Sequence, residues 1–421
     1  MARILMYTQD SFGLGHLRRA TNIANALVTR RPELSVLMVV DSPVAPFFDL
    51  APNIDFVKLP TVVKIGAGVF RTGCMGVAYA DVHTMRANLL KEIVQRFVPD
   101  VALVDHMPGG ANRELVPALR MIRRRGLPTR MVLGLRDIID LPEVTRAVWR
   151  REGVYRAMER DYQRVLVYGS PEVFPTASEY RIDAVMGTRV QYCGYVCNMD
   201  AVEEPSRIRE KLGLTDEPVV VVMAGGGADA FELMKTYLES ARMLGERRRF
   251  ATLMVTGPFM PEQERKALRD RARELGVQVK TSVGDSLSQI NAADVVVSMC
   301  GYNTMSEILR FAKRAIVVPR RGPSAEQTMR ARLFERSGWV DVVEPDAFGP
   351  YSLAAALDAA LSGPGAHARA PLALDGVARA TDALLAELPG ESAKSRPETL
   401  HPTPPQPVLV EPVERSRSLL A

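Results

Sequence analysis

The chain has 421 residues, 47% of them apolar and 24% charged, with 54 Lys and Arg against 49 Asp and Glu for a net charge of +5. That length exceeds one ordinary core and predicts two domains of roughly 150–200 residues each. The composition is that of a globular protein; four cysteines are too few for a disulfide framework, and no run of about 18 apolar residues is present to span a membrane.

The chain opens on a short apolar run, Met1–Tyr7, without the longer apolar stretch and cleavage site of a signal peptide, so a cytoplasmic location is expected. Ile4–Thr8, Val36–Val40, Val101–Val104, Met131–Leu135 and Val165–Tyr168 read as strands: short apolar runs without polar alternation, as in strands covered on both faces. Between the first two, Leu17, Ala20, Ile23, Ala24 and Leu27 fall on one face of a helix. A second series, Val219–Met223, Thr252–Thr256, Val277–Lys280, Val295–Ser298 and Ala315–Val318, follows the polar stretch 200–216. Two β-α-β series imply two parallel sheets covered by helices. The linker is expected near Cys197–Ser206, and a last helix over Leu372–Leu388. The expected divisions are residues 1–196, residues 207–388, and a Pro-rich tail, 389–421, that reads as disordered.

Basic clusters at Arg123–Arg125, Arg150-Arg151 and Arg247–Arg249 lack interleaved aromatics. They read as solvated helix faces rather than a nucleic-acid surface. Attraction to an anionic lipid surface is the next reading. Cys193 and Cys197 form a single C-x-x-x-C with no second pair, short of the four ligands of a structural zinc.

Four segments could carry chemistry. Gly13-Leu14-Gly15-His16 joins strand one to helix one, where glycines let the backbone approach a ligand and the helix N-terminus offers amides. A dinucleotide fingerprint is the rival reading, supported by Asp41, but Arg18 stands at its third glycine position. His16 could equally be a capping or packing histidine. Gly225-Gly226-Gly227 follows the first strand of the second series and suits phosphates; no Gly-Lys-Ser/Thr follows, so it is not a Walker loop. Asp294–Ile308 runs from a buried strand through Gly301 into a helix bearing Asn303, Thr304 and Glu307. Glu307 can accept two hydrogen bonds from a ribose diol, or close a capping box with Thr304. Its helix stripe would be Met305, Ile308, Leu309 and Ala312, with Glu307 on another face in the first turn. Finally, Glu326 and Gln327 could bond sugar hydroxyls while Arg320 or Arg321 balances phosphate charge. Asp105 and His106 after the third strand, and Arg136 and Asp137 after the fourth, are strand-end polar residues beside glycines that suit an acceptor; a buried ion pair around Arg136 and Asp137 is the other reading.

Together, Gly13–His16, Gly225–Gly227, Ala293–Glu307 and Glu326-Gln327 resemble the GT-B glycosyltransferases, especially the MurG branch with its family 28 C-terminal domain; within that group, Val104-Asp105-His106 and Leu133–Ile138 resemble a set of predicted bacterial glycosyltransferases. The likeness spans most of residues 1–365. It implies an α/β GT-B fold: two Rossmann-like domains facing a cleft, with acceptor on the first and nucleotide-sugar donor on the second. By position it implies Glu307 at the donor ribose and Gly301, Asn303 and Thr304 by the diphosphate. It places Glu326 and Gln327 at the sugar and His16 as general base, Gly15 near the diphosphate. A UDP-linked donor as substrate, no cofactor, no metal, and a glycan or lipid-linked acceptor at the inner membrane face are family expectations. Two departures from the MurG pattern, Gly225–Asp229 and Pro323-Ser324-Ala325, allow a different sugar and acceptor. The rival functions are a nucleotide-sugar epimerase or hydrolase, a non-catalytic nucleotide-sugar sensor, and an NAD-dependent enzyme.

Overall fold

The computed structural model describes residues 1–9, 15–66, 69–73, 75–214, 216–245, 249–363 and 372–390. Gly13 and Leu14 of the first glycine turn, Cys74, Arg247, Arg248 and tail residues 391–421 lie outside them.

The first sheet uses seven strands: β1 (Arg3–Tyr7), β2 (Ser35–Val40), β3 (Ile54–Lys58), β6 (Val101–Asp105), β7 (Arg130–Arg136), β8 (Arg164–Tyr168) and β9 (Val190–Tyr192); an antiparallel hairpin, β4 (Val62–Gly66) and β5 (Val69–Thr72), is inserted after β3. The order is β3-β2-β1-β6-β7-β8-β9, all parallel. The second sheet takes β10 (Val219–Met223), β11 (Ala251–Val255), β12 (Gln278–Lys280), β13 (Val295–Ser298), β14 (Arg314–Val317) and β15 (Asp341–Val342) in the parallel order β12-β11-β10-β13-β14-β15. All ten strands expected from apolar runs are present within a residue or so. β10 and β13 are buried at every position, and each such side chain contributes roughly 1.5–3 kcal/mol of transfer free energy.

The strands not foreseen are the marginal ones. β3 alternates exposed and half-buried positions at the sheet edge, and β9 and β15 are two or three residues long. Neither pattern separates from a loop by hydropathy.

Five helices position the site: α1 (Gly15–Arg30), α2 (Tyr79–Phe97), α3 (Tyr302–Arg310), α4 (Glu326–Arg336) and α5 (Gly376–Ala386). The α1 stripe Leu17, Ala20, Ile23, Ala24 and Leu27 is buried, as its spacing requires. In α3, Met305 and Ile308 are buried, but the helix stops at Arg310, so Ala312 falls outside it with φ at 49°. α5 does not stay with the second sheet. It crosses back onto the first: Arg30 pairs with Asp382, Arg164 Nε donates to Glu387 at 2.6 Å, and Val196 bridges Asp375. This return strap ties the two domains together at the end opposite the cleft residues.

In each sheet the order reverses beside the first strand of the series: β1 lies between β2 and β6, and β10 between β11 and β13. Open parallel sheets bind ligands outside the carboxyl ends of strands at such switch points. The segments after β1, β6, β10 and β13 therefore mark the two halves of one crevice.

Candidate active site

At the first switch point, β6 ends in Asp105 and α1 begins at Gly15. The helix presents His16 to that strand end, and His16 Nδ1 bonds Asp105 Oδ2. Arg19, one turn further on, donates to both Asp105 oxygens at 3.1 and 3.2 Å. Its Nη2 also lies 2.9 Å from His16 Nδ1. An ionised carboxylate only accepts, so Asp105 is the acceptor for both groups, Nδ1 carries the imidazole proton, and the approach of Arg19 to Nδ1 is a contact rather than a hydrogen bond. In the neutral ring the opposite nitrogen, Nε2, is then the one without a proton. Burial would raise the Asp105 pKa, but Arg19 and His16 overcome it and hold the carboxyl well below the ordinary range. Arg19 is itself buried between the rings of Tyr168, 5.2 Å away, and Tyr302, 5.4 Å away. Tyr302 belongs to the second domain, so the His16 environment is completed across the cleft.

At the second switch point, α3 starts at Tyr302 with Gly301 as its N-cap and no side chain capping it. Thr304 is therefore inside the helix, and the capping-box reading of Thr304 and Glu307 is set aside. Glu307 sits in the second turn, not the first, and is buried. Burial pushes its pKa up, opposed by Arg18, whose Nη1 donates to Glu307 Oε1 at 2.8 Å. Asn303 Nδ2 donates to the Gly15 carbonyl at 3.1 Å. The N-termini of α1 and α3 thus meet, and neither carries an acid in its first turn. Two positive helix ends converging on one gap suit an anion.

The glycine turn after β10 borders the same crevice. Gly225 and Gly227 have φ of 60° and 85°. A Cβ on Gly227 would run into the Thr256 carbonyl, and Phe259 N donates to Gly226 O at 2.9 Å. The close backbone approach fixes the turn. Beside it, Arg320 Nη1 donates to Asp229 at 2.9 Å, and the Arg320 amide donates to Gln327 Oε1 at 3.2 Å.

The remaining expected residues part company here. Asp137 is 0% exposed. It bonds Arg330 Nη2 at 2.8 Å and accepts from Tyr195 Oη at 2.9 Å. Arg330, also 0% exposed, pairs with Glu326 at 3.0 Å and donates to the Cys300 carbonyl at 3.2 Å. Arg136 Nη1 pairs with the other Glu326 oxygen at 2.8 Å. Burial would raise the Glu326 pKa, but Arg136 and Arg330 together lower it. The buried ion pair, one of two readings of Arg136 and Asp137, is what these contacts describe, and it joins the two domains. Asp137 offers no surface to an acceptor in this arrangement, and Glu326 has both oxygens engaged. His106, with φ at 72°, stays at the cleft with its ring centroid 5.5 Å from that of His16.

Arg18, Arg19, Tyr302 and Arg330 were not singled out from the sequence. Two signals could have found the arginines: the Arg18-Arg19 pair one residue beyond the Gly-x-Gly-His segment, and an arginine four residues after Glu326, which places that pair on one helix face; neither marks Tyr302. Cys193 and Cys197 are both buried thiols, pushed up to about 12 by burial. Among the described residues, no group of three or more His, Cys, Asp or Glu side chains could hold a metal ion, and no helix is long and apolar enough to cross a membrane.

Two facing Rossmann-like α/β domains with their switch points opposed define the GT-B fold. Solved structures agree. The chain superposes on Acinetobacter baumannii MurG at a TM-score of 0.57, 13% identity, over 92% of this chain and 100% of that one. It superposes on a putative UDP-N-acetylglucosamine 2-epimerase from Listeria monocytogenes at 0.60, 13% identity, over 91% and 95%. At those identities the likeness concerns the fold. Residues 219–383 match the model of the glycosyltransferase family 28 C-terminal domain. A curated relative is the UDP-N-acetylglucosamine–N-acetylmuramyl-(pentapeptide) pyrophosphoryl-undecaprenol N-acetylglucosamine transferase of Agrobacterium fabrum. It is 29% identical over 169 residues, covering 39% of this chain and 44% of that protein, less than half of its length.

Proposed function

We propose that this chain is a glycosyltransferase that moves a hexosyl group from a nucleoside-diphosphate sugar, UDP-linked by family expectation, to a hydroxyl acceptor. The observation that carries the reading is the His16–Asp105 pair facing the α3 N-terminus and Glu307 across one crevice. The family 28 match to residues 219–383 supports the donor half. We assign the acceptor to residues 1–196 and the donor to residues 207–388.

His16 Nε2 takes the proton of the acceptor hydroxyl, and Asp105 stabilises the imidazolium that forms. The acceptor oxygen attacks the anomeric carbon as the bond from that carbon to the phosphate oxygen breaks, with inversion. The leaving diphosphate gathers negative charge at the amides of Gly15, Gly301, Asn303 and Thr304. Glu307 holds the ribose, while Gly225–Gly227, Arg320 and Gln327 line the donor side. Glu326 reaches a sugar only if its pair with Arg136 opens. His106 and the Asp105 strand end border the acceptor.

A lipid-linked acceptor at a membrane surface is the finer proposal. Val69, Met75, Val77, Met85 and Leu89 are exposed apolar side chains on and around β5 and α2. Grouped there, they support contact with a lipid surface.

The test is incubation of the protein with a panel of nucleotide sugars, with and without lipid-linked and glycan acceptors. Transfer that depends on acceptor supports the reading. Rapid epimerisation or hydrolysis of donor without acceptor would replace it with the rival enzyme class, and tight donor binding with no turnover would favour a sensor.

A further inference from the structure

Glu307 is engaged before any ligand arrives. Its Oε1 accepts a 2.8 Å hydrogen bond from Arg18 Nη1, which reaches over from the first domain. Arg18 stands in the first turn of α1, two residues after His16, with its side chain 29% exposed. The neighbouring arginines have other partners. Arg19 is stacked between two tyrosines on Asp105, Arg320 is paired with Asp229, and Arg136 and Arg330 hold Glu326. Arg18 is held by the residue assigned to the ribose.

A cis-diol binds a carboxylate with one hydroxyl on each oxygen. A ribose arriving at Glu307 therefore competes with Arg18 for Oε1. The guanidinium it displaces meets a new anion brought by the same ligand, the diphosphate, for which a planar guanidinium is well suited. The Asn303–Gly15 contact keeps the N-termini of α1 and α3 at that place, so phosphate oxygens and the root of Arg18 share one small volume. The pairing also has a use in the empty protein. It keeps Glu307 from standing as an uncompensated buried charge.

We propose that Arg18 is a ligand of the donor diphosphate, parked on Glu307 until the ribose takes its place. This rests on Glu307 holding the ribose. Exchange of partners makes the two halves of the donor interdependent. A nucleoside must displace Arg18 and gives it nothing in return; a nucleoside diphosphate gives it a phosphate. Discrimination between the two is thereby placed on a first-domain residue, and donor binding is coupled to a closed cleft.

The experiment measures dissociation constants of uridine and UDP by calorimetry at fixed salt for the wild-type protein, Arg18→Gln, Arg18→Lys and Glu307→Gln. Arg18→Gln should bind UDP at least about tenfold more weakly while binding uridine equally or a few-fold more tightly. Arg18→Lys, which keeps a point charge, should recover part of the UDP affinity. Equal changes in uridine and UDP affinity for Arg18→Gln, or no change in either, would overturn the proposal. Failure of the reading beneath it looks different. Wild-type protein that binds none of UDP, GDP, TDP and ADP, or Glu307→Gln with unaltered uridine affinity, would remove the ribose role and the proposal with it.

Discussion

Two ion-pair clusters that join the domains on the cleft side differ in what they leave open. Around Arg330, the charges of Asp137 and Glu326 are sealed, with Arg136 at the partly exposed outer end: Arg330 and Asp137 have no exposed surface, and Tyr195 and the Cys300 carbonyl take up further bonds. Around His16, the same chemistry is open. Asp105 is buried beneath His16 and Arg19, but His16 and Arg18 are partly exposed at the crevice. The sealed cluster fixes how the domains meet. The open one can exchange a partner for a ligand. On the proposed reading, similar residues serve architecture in one place and chemistry in the other.

Substitutions should separate the two. His16→Ala should lower turnover by about 10²–10⁴, the range for losing a general base, with the fold intact by circular dichroism; wild-type rates would remove His16 from the chemistry. Asp105→Asn should also lower turnover strongly, because an amide no longer stabilises the imidazolium. Arg330→Met should act on stability instead. It strands Asp137 as a buried charge, leaves Glu326 with Arg136 alone, and should cost about 3–5 kcal/mol in denaturant unfolding. Arg18→Gln should cost less than Arg330→Met, since Arg18 is partly open to solvent and its loss leaves one buried carboxylate, Glu307, without its partner.

Acid titration sharpens the contrast further. The Asp105 and Glu326 carboxyls are both held below their ordinary values in the fold. In the unfolded chain they take up protons near about 4. The unfolded state binds more protons in that range, so stability from these groups is full above it and is lost as pH falls through the lower folded values. Unfolding free energy of the wild-type protein should therefore fall progressively as pH drops below about 4, and Asp105→Asn should fall less steeply. The smallest effect belongs to the surface. Met85→Ser with Leu89→Ser should reduce sedimentation with anionic vesicles and leave UDP affinity unchanged.

Much of the architecture was legible because buried parallel strands write themselves as apolar runs, Val219–Met223 being the plainest. Their ends could be located, and with them His16, Asp105, Gly301 and Glu307. What each of those residues touches was not legible. Arg18 and Glu307 are 289 positions apart, and His16 and Asp105 are 89 apart. Such pairs exist only once both sheets are assembled. Asp137 shows the cost of reading position alone: a strand-end polar residue beside a glycine fits an acceptor site and a buried clamp equally, and only burial separates them. The return of α5 to the first domain has no local signal, since an amphipathic helix does not name its partner.

One measurement bears most directly on the shared crevice: a crystallographic difference map of the protein with bound UDP. The account predicts the ribose on Glu307 and the diphosphate between the amides at Gly15 and Gly301, facing the His16 imidazole. Density for the nucleotide elsewhere, with Glu307 untouched, would contradict it.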